Sequence, residues 1–365
     1  MADLPKQHIV EQVIAEPVTL CLINHNGLTY LQHAFAALQN LQTKFDEILV
    51  VDNASTDGSI AYIETLDEVN LIALSRNTGP AGARNTGYTK AKNDIILFQD
   101  NDICLTEGSA EALYNTLKQD QETLITMPRV VYKSEPETIQ YEGANCHFLG
   151  TMQLRHANVL CSQAATVTAQ TSSMVSACFM IDRSRYLNQL LFDEEFIFNL
   201  EDHDLGVRVN LLGFNTMAVP GATVLHDSGT PGLSYRPGSK VSATRMYCLI
   251  RNRWWIIWRY YSLRTLIVLS PALLAYELLQ FTGLLFKGWG REWMRAFLDT
   301  ARHISSLNGK RRTYQPQRQR TDRDILHGGS LTFTQAINSN NLVRGVVKAF
   351  ESFMYIYWSL AKKLL

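Results

Sequence analysis

None of the six cysteines (Cys21, Cys104, Cys146, Cys161, Cys178 and Cys248) stands in a CxxC pair, so neither a zinc ribbon nor a disulfide framework is indicated. Thiols spaced this widely fit a reducing, cytosolic compartment. Residues 1–17 lack the uninterrupted apolar core of a secretory signal, because Asp3, Lys6, Glu11 and Glu16 break the run. No internal repeat and no long low-complexity tract is present, which sets aside repeat architectures and disordered chains. Net charge is absent as well, with 34 Lys and Arg balancing 34 Asp and Glu. The zero conceals a division: residues 1–240 carry 15 basic against 28 acidic residues, and 241–365 carry 19 against 6, so −13 is followed by +13. An acidic body joined to a basic tail suggests that the tail faces anionic lipid or a polyanionic glycan; a solvated basic helical face is the plainer reading.

What is present is a large core and a regular alternation. At 365 residues and 46% hydrophobic content, the chain can form one large α/β domain plus an appendage. Val18 to Ile23 reads as a strand and Tyr30 to Leu41 as a helix. A second strand, Glu47 to Val51, ends in the polar turn Asp52-Asn-Ala-Ser-Thr-Asp-Gly58 and leads to a helix from Ser59. Asn70 to Leu74 and Asp94 to Phe98 are further strands, with a helix over Ala83 to Ala91 between them. Alternating units of this size imply a mostly parallel sheet with helices on both faces. Beyond residue 103 the pattern loosens, and the stretch Cys146 to Ser173 is expected to shape an acceptor side. Val175 to Ile181 reads as a buried strand, and Glu201 to Leu212 as a helix ended by Gly213. The Gly-, Pro- and Ser-rich stretch from Thr230 to Lys240 places the domain boundary, giving a tail over 1–17, a catalytic domain over 18–240 and a helical region over 241–365.

Ligands of such sheets sit beyond the carboxyl ends of the strands, which is where the polar clusters fall. Asp100-Asn101-Asp102 directly follows an apolar strand. Two adjacent carboxylates repel unless a cation joins them, and Mg²⁺ or Mn²⁺ bridged to phosphate would do so; acid pairs after strands also serve as helix caps. Glu201-Asp202-His203-Asp204 opens a helix, where a carboxylate can act as a general base or simply favour the helix dipole. His226 closes the run Ala222 to Leu225, and alone it is as compatible with a structural role.

In this order the segments resemble the family 2 glycosyltransferases, which have the nucleotide-binding α/β fold called GT-A and invert the anomeric centre. Val18 to Asn26 is similar to the family's first strand and turn, and Val50 to Ser59 to its second. Asn77 to Gly87 resembles the glycine-rich segment beside the donor, and Asp100-Asn-Asp102 resembles the DxD motif. Phe192-Asp193 and Glu201-Asp202, with Asp204, Leu205 and Arg208, are similar to the segment bearing the base, and Val224-Leu-His226 to the closing strand. The likeness covers residues 18 to 230, and its layout looks most like the bacterial rhamnosyltransferase and galactofuranosyltransferase type. It departs from that pattern at Asn24-His25-Asn26 and at Asp227-Ser-Gly229. The resemblance implies donor contacts from Asn24, Asn26, Asp52, Arg84 and Asp100. It implies a metal ion held by Asp102 and His226 with Asp100, and a base at Asp202 with Glu201 beside it. The implied donor is a UDP- or dTDP-sugar, and the implied acceptor a glycan or lipid-linked saccharide.

Arg251 to Tyr261 interleaves Trp, Tyr and Arg in a composition that suits a membrane interface. Leu266 to Phe286 is long enough to span, yet Pro271, Glu277 and Gln280 favour a surface-lying or partly inserted helix. An apolar repeat at helical spacing runs from Leu342 to Tyr357. Lys310-Arg-Arg312 with Arg318, Arg320 and Arg323 suits lipid phosphates, and the apolar helices beside it argue against nucleic acid. The expected location is the inner face of the cell membrane, with a homo-oligomer compatible. A sugar nucleotidyltransferase would carry a basic glycine-rich loop after its first strand, and Asn24-His-Asn-Gly27 has none. A non-catalytic glycan-binding scaffold is the remaining alternative.

Overall fold

The computed structural model describes residues 14–186, 190–227, 242–331 and 341–365, with side chains from residue 345 onward in the last segment. The Gly/Pro-rich boundary at 230–240 and most of the N-terminal tail lie outside the described residues.

Strand β1 (Val18–Asn24) is buried at every position, as a central strand covered on both faces must be. It pairs in parallel with β2 (Glu47–Asp52) and with β4 (Ile95–Asp100), and β3 (Val69–Ala73) extends the sheet beyond β2. Period-two alternation divides the core. Leu20 and Leu22 meet Leu31 and Phe35 of α1 (Leu28–Gln39), whereas Cys21 and Ile23 meet Ala83 of α3 (Gly79–Lys90). The short α2 (Ser59–Ile63) follows the second polar turn. After β5 (Ile103–Leu105) and α4 (Ser109–Lys118), the hairpin β6 (Thr123–Tyr132) and β7 (Glu135–Tyr141) widens the sheet.

Small strands β8 (Ala144–His147), β9 (Met152–Leu154) and β10 (Ala169–Thr171) follow, in the region expected to be irregular. Strand β11 (Cys178–Asp182) then enters between β4 and β6, antiparallel to both. Helix α5 (Glu201–Leu211) and strand β12 (Asn215–His226) complete the body, with β12 parallel to β6. Gly206 lets α5 lie directly on the preceding chain: a Cβ there would stand 2.4 Å from the Met174 amide nitrogen and 2.6 Å from the Ser173 carbonyl carbon. Any larger residue would lift the helix that carries Glu201 and Asp202.

The C-terminal region is helical: α6 (Ala243–Tyr260), α7 (Leu263–Phe286), α8 (Gly290–Arg302), α9 (Ile304–Tyr314), α10 (Asp322–Ile325) and α11 (Asn341–Ala361). Between α10 and α11, β13 (Leu326–His327) pairs in parallel with β8, so the tail closes a second, three-stranded sheet with the body.

The interfacial placement expected for Arg251 to Tyr261 is corrected here. Arg251, Arg253, Trp255, Arg259, Tyr260 and Tyr261 are all buried, Arg259 fully. A buried guanidinium needs a carboxylate, and the acidic body supplies several. Arg259 reaches Asp193 at 2.8 Å and Asp204 and Glu195 at 3.4 Å, while Arg253 pairs with Glu277. Part of the basic linker is likewise turned inward, while Arg312 and Arg323 stay exposed. Lys310 meets Asp193 and Glu195, Arg311 donates to the carbonyls of Trp258 and Tyr261, and Arg320 donates to those of Gly213 and Phe214. Arg259 and Lys310 thus join the basic tail to carboxylates of the acidic body, whereas Arg251, Arg253 and Arg318 pair with acids of the tail itself.

Helix α7 differs. It has 24 residues and the length and composition to cross a bilayer, with only 22% of its apolar window buried. Leu263, Ile267, Leu274, Leu278 and Leu285 form one exposed stripe along it.

Candidate active site

Asn24, at the tip of β1, is fully buried and ties three turns together. Its amide donates to Asp52 at 2.7 Å and to Ser55 Oγ at 3.2 Å, and its oxygen accepts from Asn101 at 2.7 Å. Asp52 is also fully buried, and its other oxygen accepts from the Ser55 amide at 2.8 Å. Asn24 and Asp52, both expected at the donor, thus tie the strand-end turns to one another. Asn26 is exposed, in the left-handed region at φ 47°, and its oxygen accepts from the Thr56 amide at 2.8 Å. His25, beside it, hydrogen-bonds Asn77 at 3.1 Å and was not anticipated as part of this rim.

Helix α3 delivers Arg84 beneath the end of β4. Only 3% exposed, Arg84 bonds Asp100 at 2.5 Å, while its Nε and Nη1 have no hydrogen-bond partner among the described residues. Buried donors left over beside a site are ready for an anionic oxygen. The next residue, Asn85, clamps the backbone of Phe192 in both directions, at 2.8 and 2.9 Å, so α3 also anchors the loop that leads to α5.

Glu201 and Asp202 occupy the first turn of α5, which starts from Leu200 in the left-handed conformation. Glu201 is 7% exposed, and its Oε2 has no partner among the described residues. Burial, with Asp202 adding to it and Arg84 opposing, pushes the Glu201 carboxyl up to about 7. Burial also raises Asp202, against hydrogen bonds from the amides of His203 at 2.8 Å and Ser176 at 3.4 Å. Asp202 is the less buried of the two, so its carboxylate is the one an incoming hydroxyl can reach. Arg84 feels Asp100, Glu201 and Asp202 together, so the strand-end carboxylate and the helix-start carboxylates share one electrostatic neighbourhood.

His226 and Asp102 meet at the far side, with Nε2 to Oδ2 at 3.1 Å. Nδ1 of His226 lies 2.6 Å from Gln140 Oε1, a bond that fixes the ring and turns Nε2 to the carboxylate. Such an outer partner is typical of a metal-ligating histidine. Among the described residues no three His, Cys, Asp or Glu side chains stand close enough to hold an ion by themselves. Of the expected set Asp100, Asp102 and His226, the structure brings Asp102 and His226 into contact, while Asp100 is bonded to Arg84. A pair fits Mg²⁺ or Mn²⁺, which take few protein ligands when phosphate oxygens supply the rest.

Gln140 and Tyr141 are site residues that the sequence did not reveal. The Tyr141 hydroxyl is buried without a partner among the described residues; burial first, then Asp100, Asp102 and Asp202, hold its pKa well above the usual phenol value. No motif marks either residue, since only the β6–β7 hairpin brings them here.

Residues 19–187 match the family described as Glycosyl transferase family 2. The chain carries a family 2 glycosyltransferase domain. No curated protein sequence matches the chain. Among solved structures, the crystal structure of GalNAc-T7 with UDP, GalNAc and Mn²⁺ is similar at 18% identity and TM-score 0.52, over 65% of this chain and 48% of that one. S. aureus TarS is 16% identical over 66% of this chain and 39% of that one, with TM-score 0.45. TarS 1–349 in complex with UDP is 17% identical over 67% and 66%, with TM-score 0.44. The chain spans about half the length of the GalNAc-T7 chain, and the likeness at this identity is one of fold: the glycosyltransferase domain has the GT-A architecture. The domain match ends before α5, so Glu201, Asp202 and His226 stand on geometry.

Proposed function

We propose that the protein transfers a sugar from a UDP- or dTDP-sugar to a hydroxyl of a glycan or lipid-linked saccharide, with inversion at the anomeric carbon. The observation that carries this reading is the gathering of Arg84, Asp100, Glu201 and Asp202 in one electrostatic neighbourhood at the carboxyl ends of the strands of a family 2 domain. Arg84, with buried donors to spare, faces the diphosphate. Asp202 takes the proton of the acceptor hydroxyl as its oxygen bonds to the anomeric carbon and the nucleoside diphosphate departs. Asp102 and His226 would hold Mg²⁺ or Mn²⁺, which supplies charge neutralisation to the leaving diphosphate.

A thermal-shift panel of UDP- and dTDP-sugars with Mn²⁺, including UDP-galactofuranose and dTDP-rhamnose, tests donor binding. At a hundred times its Kd the right donor stabilises the fold by about 2.7 kcal/mol. A panel in which no nucleotide sugar moves Tm overturns the reading. Donor binding without nucleotide release leaves the glycan-binding scaffold instead.

The exposed stripe of α7, continued by Met294, Phe297 and Leu298 of α8 and by Phe353, Ile356 and Leu360 of α11, supports peripheral docking on the inner face of the cell membrane. Exposed Arg264, Lys287, Arg291, Lys348 and Lys363 lie among these residues and suit anionic headgroups. The protein is expected to sediment with phosphatidylglycerol vesicles and much less with phosphatidylcholine. Leu278→Asp should weaken partition roughly tenfold or more, the scale of one buried leucine. Vesicle-independent dimerisation that the same substitution abolishes would assign the face to a second copy.

A further inference from the structure

We infer that Asn252 of α6 is a positioning residue for the catalytic base, holding in place the strained loop that presents Glu201 and Asp202. The inference rests on the reading of Asp202 as base.

The loop from Phe196 to Leu200 takes a conformation its residues disfavour. Ile197 has φ 58° and ψ −62°, Asn199 has φ 61° and Leu200 has φ 63°. Positive φ at a β-branched residue and again at a leucine is backbone that L side chains disfavour. Such a segment persists only where its surroundings over-determine it, and the segment's own bonds are few.

The missing support comes from some fifty residues downstream. Asn252 is fully buried, and its amide nitrogen lies 3.0 Å from the Phe196 carbonyl, 3.0 Å from that of Phe198 and 2.6 Å from that of Asn199. Two protons shared by three carbonyls pin every turn of the loop at once. The amide's orientation is set from its other end, since Arg251 Nε donates to Asn252 Oδ1 at 2.9 Å. Arg251 also donates to the Glu195 carbonyl at 2.8 Å. Further along α6, Tyr260 donates to Asp204 at 2.7 Å and Arg259 joins Asp193 to Asp204, so the helix grips both the loop and the first turn of α5. Leu200, whose carbonyl accepts the Asp204 amide at 2.9 Å, starts that turn, and its φ sets the direction in which Asp202 points. A helix outside the matched family domain thus completes the site.

Asn252→Ala removes the grip without touching any group that meets substrate. Nucleotide release from the donor selected by the panel above is expected to fall about 10²-fold in kcat, the cost of a misplacement near 1 Å, with donor KM unchanged. The Tm shift given by UDP with Mn²⁺ should persist, and the amides of residues 198–204 should exchange with solvent at least tenfold faster. Adding Ile197→Gly, at a side chain that is 56% exposed, makes the same backbone cheap and should restore part of kcat. Wild-type kcat and wild-type exchange at 198–204 in Asn252→Ala would overturn the inference. So would a loss of the UDP shift in step with activity, or a double variant no better than Asn252→Ala. If wild type releases nucleotide from no donor, the transferase reading fails, and exchange at 198–204 alone decides the clamp.

Discussion

Asp202→Asn is expected to lower transfer by roughly 10²- to 10⁴-fold, the range for removing a general base, while leaving donor binding intact. The substitution keeps the side chain's shape, and its single oxygen can keep the shorter bond, from the His203 amide at 2.8 Å to Oδ1, while the 3.4 Å bond from the Ser176 amide to Oδ2 is lost. Glu201→Gln separates the two acids. The carboxyl of Glu201 is pushed up to about 7, and the groups acting on it are Asp202, Arg84 and Asp100, with the Cys248 thiol of α6 within its field. If Asp202 is the base, transfer in the wild type is lost as pH falls and Asp202, whose own carboxyl is raised by burial, takes up a proton. Glu201→Gln then retains most of kcat and moves that acidic limb to lower pH, because Asp202 no longer titrates beside a second carboxylate. Stability should move the other way. A carboxyl whose folded pKa is raised costs the fold stability as pH climbs from its ordinary 4.5 to about 7, so Glu201→Gln should melt above wild type at pH 8 and draw level with it only at pH 4 and below. Loss of transfer in Glu201→Gln with normal turnover in Asp202→Asn would reverse the assignment.

Strands β1, β2 and β4 were legible because each is a short apolar run closed by polar residues, and burial on both faces leaves that mark. Asp100-Asn101-Asp102 and Glu201-Asp202 were legible for the same reason, since they sit where periodic segments begin or end. The pairing beneath the rim was not legible: the turn after β2 displays many polar groups, and nothing in their order shows that Asp52 and Asn24 bond each other. The start of strand β11 was placed three residues early and its antiparallel entry between β4 and β6 was not found, because pairing direction leaves no trace in a buried apolar run. The tail was the larger error. Arg and Trp interleaved from 251 to 261 have the composition of a membrane interface, yet the same composition arises where guanidinium groups reach buried carboxylates across aromatic faces. Arg251 lies 4.4 Å from the Trp255 ring centre and Arg259 5.1 Å from it. Arg259 finds its carboxylates in the body, whereas Arg251 and Arg253 find theirs at Asp299 and Glu277 of the tail.

Asp102→Ala is expected to cost transfer roughly 10²- to 10³-fold, because it removes the carboxylate that His226 faces and with it the pair that fits a divalent cation. Several kcal/mol of charge stabilisation on a leaving diphosphate is the scale at stake. A second readout does not depend on turnover: Mn²⁺ should raise the Tm shift given by UDP in the wild type, excess EDTA should abolish that increment, and Asp102→Ala should show none. Gln140→Ala supplies a graded comparison. It leaves both Asp102 and His226 in place but frees the imidazole ring, whose Nδ1 loses its 2.6 Å partner, so the Mn²⁺ requirement should weaken by about 10- to 100-fold in affinity without vanishing. Asp100 behaves differently in this scheme. Bonded to Arg84 at 2.5 Å, it sets the direction of the guanidinium, so Asp100→Asn should raise donor KM while the Mn²⁺ increment survives. Equal Mn²⁺ dependence in wild type and Asp102→Ala would remove the cation from Asp102 and His226, leaving their contact as an ion pair that closes β12 onto the end of β4.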